Sequence, residues 1–186
     1  MFIEEVDAMK APGSAGGHLI MYSDPIATFV TTTSFGSWLP GDVRGYVDNG
    51  KLFPPIPQLE AHIRRNMTQA PVQFSHRDRG ELFEALGAAS SEFDYRLTDA
   101  VVEATHLHWI IGHNDSVAAM VGRLKNRMRQ RLGRGRIWAD GFSHRLLFDD
   151  DSLYDARQYL TKHNGLRMLA GELVTLSPGK AGGFQT

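Results

Sequence analysis

The segment that most constrains the fold of this chain is the run EATHLHWIIGH at residues 103–113. Its bulky and β-branched residues are typical of a buried β-strand. Side chains alternate between the two faces of a strand, so His106 and His108 share one face while Leu107 and Trp109 share the other. A fold built on this strand needs an apolar layer on one side and a role for two adjacent imidazoles on the other.

The other apolar patterns predict an antiparallel sheet with helices packed against it. The predicted strands are 26–35, 95–104, 106–113 and 144–148. The predicted helices are 76–93 with Ser75 as N-cap, 117–132 with Ser116 as N-cap, and 151–169. This order of strands and helices indicates an α+β fold of the ferredoxin-like class. A segment rich in Gly, Pro and Asp at 36–57 is predicted to form a long structured loop.

The chain is predicted to hold one domain, residues 25–174, between a flexible N-terminal extension at 1–24 and a flexible tail at 175–186. It contains no cysteine, which is compatible with a reducing compartment. The first residues lack the apolar core of a signal peptide, and no apolar run approaches the roughly 20 residues needed to cross a bilayer. We therefore expect a cytoplasmic protein that does not enter a membrane.

The net charge of −1 conceals a strong local segregation of basic residues. Residues 123–136 hold six arginines, one lysine and no acid. Such a window creates a local positive field that an anionic ligand would meet first. The alternative is a solvated helix face that acids from other parts of the fold neutralise.

The histidine pair has two interpretations. Two satisfied core histidines are one, and two ligands of a metal site are the other, although a metal needs a third protein ligand to hold its geometry. The last predicted helix offers that ligand, because Tyr159 and His163 lie four residues apart and would stack on one helical face. Tyr154 and Gln158 have the same spacing, so periodicity alone does not choose between the two pairs.

Three further motifs accompany the histidine pair. FGSWLPGDVRG at 35–45 precedes it, and WADGF at 138–142 and HRLLFDDDSL at 144–153 follow it. Tyr159 comes six residues after Leu153, the last residue of the third motif. Together they make the chain resemble the HUH single-tyrosine transposases, and more specifically the REP-associated tyrosine transposases and their insertion-sequence relatives. The resemblance covers about residues 27–167. Its register selects Tyr159, not Tyr154, as the nucleophile.

The resemblance implies a metal-dependent transposase or nickase that cleaves and rejoins single-stranded or hairpin DNA through a 5′-phosphotyrosine linkage at Tyr159. It implies a divalent ion, Mg²⁺ or Mn²⁺, held by His106, His108 and His163. The chain departs from the family in having Thr105 where Asn is usual before the first histidine, and His163 where Asn or Gln is usual. Imidazole is a softer ligand than an amide oxygen, which favours Mn²⁺ or another transition ion.

The same resemblance makes DNA the expected partner of the basic window. The residues predicted to contact it are Arg123, Lys125, Arg127, Arg131, Arg134, Arg136 and Trp38. Trp38 could stack an unpaired base or fill a core beneath the long loop. The alternatives to a transposase are a domesticated protein that binds hairpin DNA without cutting it, and a metal-dependent hydrolase in which Tyr159 is structural. Relatives include monomers and homodimers.

Overall fold

A computed structural model describes residues 24–48, 51–169 and 172–174 of the chain. The strands are β1 (Ala27–Thr33), β2 (Tyr46–Asp48), β3 (Lys51–Phe53), β4 (Arg96–Val102), β5 (His106–Gly112), β6 (Ser143–Leu147), β7 (Leu166–Leu169) and β8 (Glu172–Val174). The helices are α1 (Pro57–Arg65), α2 (His76–Glu92), α3 (Val117–Leu132) and α4 (Asp150–Thr161). By its contacts the chain forms two compact units, of which residues 38–70 belong to the first and residues 25–37 and 71–174 to the second.

The second unit contains an antiparallel sheet in the order β6-β1-β5-β4-β7-β8. When the elements of the first unit are left out, the chain order of this sheet and its helices begins β1-α2-β4-β5-α3-β6. In the sheet, β5 lies between β1 and β4, and β6 lies on the other side of β1. This is the ferredoxin-like arrangement of a split βαβ unit. The predicted α+β fold is therefore confirmed, and the predicted HxH strand lies in the middle of the sheet.

Helices cover both faces of this sheet. The larger core lies between the sheet and the helices α2 and α3, where Leu107, Trp109 and Ile111 are fully buried. A smaller core lies between the other face and α4, whose Ala156 and Leu160 are fully buried. Burying a large apolar side chain contributes about 1.5–3 kcal/mol. A slip of β5 by one residue would exchange its two faces and put the imidazoles in the larger core, so the register is strongly determined.

The helix ends follow local signals that the sequence displays. Ser75 caps α2 through a capping box with Asp78, as its position predicts. Ser116 likewise accepts a hydrogen bond from the backbone of Ala119 at the start of α3. Gly133, in the left-handed conformation, ends α3.

The first unit differs from the single long loop that was predicted at 36–57. Residues 46–53 contribute the antiparallel pair β2–β3, and Pro57 begins α1. Gly41 has a φ of +91°, and a Cβ there would lie 2.4 Å from the carbonyl oxygen of Ile56. Only glycine fits this close approach of two backbone segments.

The last predicted helix is too long. α4 ends at Thr161, and residues 166–169 form β7, which pairs with β4. The predicted N-terminal extension and tail lie outside the described residues, apart from Asp24, and the limits of the predicted domain stay a prediction. Within the described segments, no helix combines the length and the apolar character that a membrane crossing requires.

Candidate functional site: a histidine cluster beside a tyrosine

Strand β5 places His106 and His108 on the face of the sheet that α4 covers. The intervening Leu107 points into the opposite core. His108 pairs in register with Thr31 of β1 and with Val101 of β4, so it lies at the centre of the sheet and is almost fully buried. The alternation that the sequence predicts for this strand is confirmed.

His163 reaches the same place from the segment after α4. The helix ends at Thr161 with Lys162 as C-cap. The prediction that His163 belongs to the helix is therefore wrong, although His163 follows Tyr159 by only four residues. Two residues later Gly165 passes so close to β4 that a Cβ would lie 2.3 Å from the Val102 carbonyl oxygen. This close crossing brings His163 over β5.

The three imidazoles form one compact cluster. Their ring centroids lie 4.9 Å apart for His106 and His108, 5.3 Å for His106 and His163, and 4.5 Å for His108 and His163. One nitrogen from each ring lies within 4.8 Å of the others. Three protein ligands at this separation suit a catalytic metal that keeps positions open for substrate.

Oxygen atoms of neighbouring residues occupy the Nδ1 side of each ring. Thr31 Oγ1 lies 2.7 Å from His108 Nδ1, Thr105 Oγ1 lies 3.2 Å from His106 Nδ1, and Glu103 Oε1 lies 3.7 Å from His163 Nδ1. The Glu103 carboxylate also accepts a hydrogen bond from the Gly165 backbone at 2.8 Å. Such partners fix the tautomer and orientation of metal-binding histidines.

Two of the three rings, those of His108 and His163, present the opposite nitrogen to a ligand. The Nε2 atoms of His108 and His163 are buried and have no hydrogen-bond partner among the described residues. A buried polar nitrogen without a partner costs roughly 1–3 kcal/mol, and coordination to a metal ion would remove that cost. The residues therefore fit a metal ion.

Burial keeps His108 and His163 in the form that binds metals. Burial lowers the pKa of His108 to about 2, and the charges of His106 and His163 act in the same direction. Burial also lowers the pKa of His163, against an opposing effect of Glu103. The neutral imidazole with a free lone pair is the ligand form, and it dominates at neutral pH.

Tyr159 stands beside this cluster. Its ring centroid lies 5.3 Å from that of His108 and 5.0 Å from that of His163, and it meets the ring of Phe29 edge-on at 5.8 Å. Burial raises the pKa of the phenol, which keeps it protonated at neutral pH in the absence of a nearby cation. The sequence register that prefers this tyrosine thus selects the one next to the histidines.

The rival pair lies elsewhere on α4. Tyr154 is 61% exposed, and Gln158 is exposed as well. Five residues separate the two tyrosines, which is about 500° of helical rotation. Tyr154 and Gln158 therefore do not line the histidine cluster.

The basic helix occupies the other face of the sheet. Its apolar stripe packs into the core that contains Leu107 and Trp109, away from the histidine cluster. Most basic groups of the window 123–136, which spans this helix and the segment after it, have acidic partners, although the window itself contains no acid. The ion pairs are Arg123 with Asp115, Arg127 with Glu92, Arg131 with Glu84, Arg134 with Asp78, and Arg136 with Asp140.

The remaining two predicted DNA contacts, Lys125 and Trp38, form hydrogen bonds with backbone carbonyl groups. Lys125 donates to the carbonyl oxygens of Ala139 and Gly141 at 3.0 and 2.9 Å, and so holds the turn of the WADGF motif. Trp38 donates its indole N–H to the Gly45 carbonyl at 2.8 Å and remains 37% exposed, with the Arg44 guanidinium 5.1 Å from its ring. The ring thus neither fills a core nor presents both faces to solvent.

Sequence reasoning missed the residues that support the cluster. Thr31 and Glu103 belong to other strands or strand ends, and no spacing rule connects them with the histidines. The sequence did carry a signal for one buried polar residue outside the cluster. Asp99 is a charged residue in the otherwise apolar segment DAVV, and it is fully buried in the structure.

No family model matches the chain, and no curated protein does. Among solved structures it is similar to a REP-associated tyrosine transposase bound to a REP hairpin, with a TM-score of 0.49 and 13% identity, over 81% of this chain and 75% of that one. It is also similar to a protein from Deinococcus radiodurans described as a candidate transposase, with a TM-score of 0.40 and 12% identity, over 87% of this chain and 100% of that one.

Proposed function

We propose that the protein is a metal-dependent DNA nickase and strand transferase that forms a 5′-phosphotyrosine linkage through Tyr159. One observation carries the proposal: a half-buried tyrosine adjoins three clustered histidines, two of which point unpartnered Nε2 atoms away from their supporting oxygens. A nucleophile and a ligand set in one place are what phosphoryl transfer requires.

His106, His108 and His163 would hold a divalent ion through ring nitrogens. When bound, that ion withdraws charge from the scissile phosphate and orients it. Imidazole ligands suit transition ions better than Mg²⁺, which supports Mn²⁺ as the first ion to test. A cation near Tyr159 also counteracts the effect of burial, because it favours the phenolate over the phenol.

Tyr159 supplies the attacking atom. Its Oη forms a bond to phosphorus, the bond from phosphorus to the 3′ oxygen breaks, and solvent takes the phenolic proton while the 3′ oxygen gains one. The phosphotyrosine ester keeps the energy of the broken bond. A 3′-hydroxyl can therefore attack it and release the tyrosine, so cleavage and rejoining are one reversible reaction.

Single-stranded or hairpin DNA is the proposed substrate. The sequence resemblance implies it, and the similar REP-associated transposase is bound to a REP hairpin. The arginines of α3 are proposed to contact the DNA backbone, where phosphates would compete with the carboxylates of α2 for the guanidinium groups. The protein could act as a monomer or a homodimer.

The test is the formation of a covalent adduct on a labelled hairpin oligonucleotide, resolved on a denaturing gel, with Mn²⁺ and with a chelator. The proposal expects a slow-migrating protein–DNA band that requires the metal. Tight binding without an adduct would instead support a hairpin-binding protein without cleavage. Cleavage that leaves no adduct would support a metal-dependent hydrolase in which Tyr159 is structural.

A further inference from the structure

A buried ion pair joins α4 to the sheet on the side away from Tyr159. Arg157 Nε donates to both carboxylate oxygens of Asp99, at 3.2 and 3.0 Å. Asp99 is fully buried, while the Arg157 side chain is about one-third exposed. The two residues lie 58 positions apart in the chain. The pair is therefore a long-range contact between the tyrosine-bearing helix and the sheet.

The strand is shaped to present this carboxylate. The register of β4 against β5 shifts between Leu97 and Asp99, which marks a β-bulge. Residues two apart in a regular strand face the same way. Here Leu97 packs against the core under α2 and α3, whereas Asp99 points to α4. Bulges commonly re-aim a side chain in this manner, and this one turns a charged group under the helix.

Arg157 and Tyr159 leave α4 on opposite flanks. Two residues correspond to about 200° of rotation at 3.6 residues per turn. Between the two flanks, Ala156 and Leu160 face the sheet. Tyr159 accordingly meets Phe29 of β1 and His108 of β5, while Arg157 meets Asp99 of β4.

A small apolar contact area leaves the rotation of a helix about its own axis, its roll, poorly determined. The side chains of α4 that are buried in this core are Ala156 and Leu160, with Leu153 partly buried. The phenol of Tyr159 extends well beyond the roughly 2.3 Å radius of the Cα atoms, so a small roll displaces its hydroxyl further than the backbone. A directional contact on the opposite flank limits that roll.

We propose that Asp99 and Arg157 are positioning residues that fix the roll of α4 and thereby hold the Tyr159 hydroxyl against the histidine cluster. This inference rests on the proposed function, because it assigns a purpose to the placement of the nucleophile. The pair acts on the reaction only through Tyr159. Misplacement of a reacting group by about 1 Å can cost on the order of a hundredfold in rate.

The test uses a variant that removes the pair without leaving a buried charge, Asp99→Leu/Arg157→Met in the full chain. Replacing both partners of a buried ion pair with apolar residues of similar size often preserves folding. We expect a melting temperature near that of the wild type, unchanged hairpin affinity, and a single-turnover rate of adduct formation that falls roughly tenfold to a hundredfold. Arg77→Gln, which removes the exposed pair with Glu81, is the matched control and should keep the full rate.

A second measurement reads the tyrosine itself and needs no catalysis. In protein labelled with 3-fluorotyrosine, the Tyr159 fluorine signal, assigned with Tyr159→Phe, should shift or broaden in the double variant because the ring moves relative to Phe29 and His108. Tyr95, which is buried in the larger core on the other face of the sheet, should keep its signal. A folded double variant with the wild-type adduct rate, or with an unchanged Tyr159 signal, would overturn the inference. A wild type that forms no adduct while the fluorine signal still responds would overturn the proposed function alone.

Discussion

Thr31 Oγ1 lies 2.7 Å from His108 Nδ1, so this ring has a hydrogen-bond partner on the side opposite its buried Nε2. When Nδ1 carries the proton and donates it to the hydroxyl, the lone pair lies on Nε2, the buried atom without a partner among the described residues. A residue on the neighbouring strand is thus placed to support the tautomer of His108 that coordinates a metal through Nε2.

Thr31→Val should weaken metal binding. Valine keeps the β-branched shape but cannot accept the Nδ1 proton, and loss of such a supporting partner typically costs about 10–100-fold in metal affinity. Isothermal titration with Mn²⁺ measures the effect. Thr28→Val is the matched control, since Thr28 lies on the same strand and its hydroxyl lies 3.0 Å from Nε2 of His113, outside the cluster. Equal metal affinity in the two variants would show that Thr31 does not support the site.

The arginines of α3 and of the segment just after it give two predictions of opposite sign for DNA binding. Replacing Arg127, Arg131 and Arg134 with Gln should weaken binding of single-stranded DNA and flatten its salt dependence. Binding through fewer phosphate contacts releases fewer counterions from the DNA. The double variant Glu84→Gln/Glu92→Gln should strengthen binding, because it frees Arg131 and Arg127 from their carboxylates. Fluorescence anisotropy at several salt concentrations measures both slopes. If neither set changes the slope, the DNA lies elsewhere.

These arginine variants should still fold. Exposed ion pairs contribute little to stability, because water and salt screen them. The pairs of Arg127 and Arg131 are exposed in this sense, whereas Arg134 contacts the nearly buried Asp78. A melting curve for each variant separates any loss of stability from a loss of binding.

Asp78 links stability to pH. Its burial alone would raise its pKa, but hydrogen bonds from Ser75 and the charge of Arg134 hold the pKa below the ordinary value of an aspartate. A folded-state pKa below the unfolded one means that the stabilisation is present above about pH 4 and is lost as the pH falls through the folded value. Asp78→Asn should lower the free energy of unfolding at pH 7 by roughly 1 kcal/mol, because the amide oxygen can still accept a hydrogen bond but the bonds from Ser75 and Arg134 lose their charge assistance.

The pH profile checks the origin of that effect. Urea unfolding between pH 7 and about pH 2.5 should show a smaller acid-induced loss in Asp78→Asn than in the wild type, since the variant has no carboxylate to protonate at this position. Identical slopes would mean that Asp78 has the same pKa in the folded and unfolded states.

Patterns of short range could be predicted from the sequence, and long-range pairings could not. The alternation in β5 and the cap at Ser75 depend on neighbouring residues, so both were predictable. The end of α4 was not, because Leu166–Leu169 consists of good helix formers that become a strand only by pairing with β4. The pairing of β2 with β3 was predictable from the sequence, because Asn49-Gly50 between the two strands is a dipeptide typical of a β-hairpin turn. The prediction of a single loop at 36–57 did not use this dipeptide.

The candidate site shows the same division. His163 was assigned to the cluster for its helical spacing to Tyr159, but it reaches the cluster through a turn after the helix, where Gly165 crosses β4. The acids that neutralise α3 come mostly from α2, more than 30 residues away in the chain. A search for acids within the basic window could not find them.

The identity of the modified tyrosine tests the central claim most directly. Trypsin cuts after Arg157 and Lys162, so Tyr159 lies in the peptide 158–162, whereas Tyr154 lies in the peptide 146–157. After reaction with hairpin DNA and Mn²⁺ and digestion by nuclease and trypsin, mass spectrometry should find a nucleotide on the peptide 158–162. Tyr159→Phe should lose this mass and the adduct while it keeps its fold, and Tyr154→Phe should react normally. A nucleotide on the peptide 146–157, or an adduct that persists in Tyr159→Phe, would contradict the assignment of Tyr159 as the nucleophile.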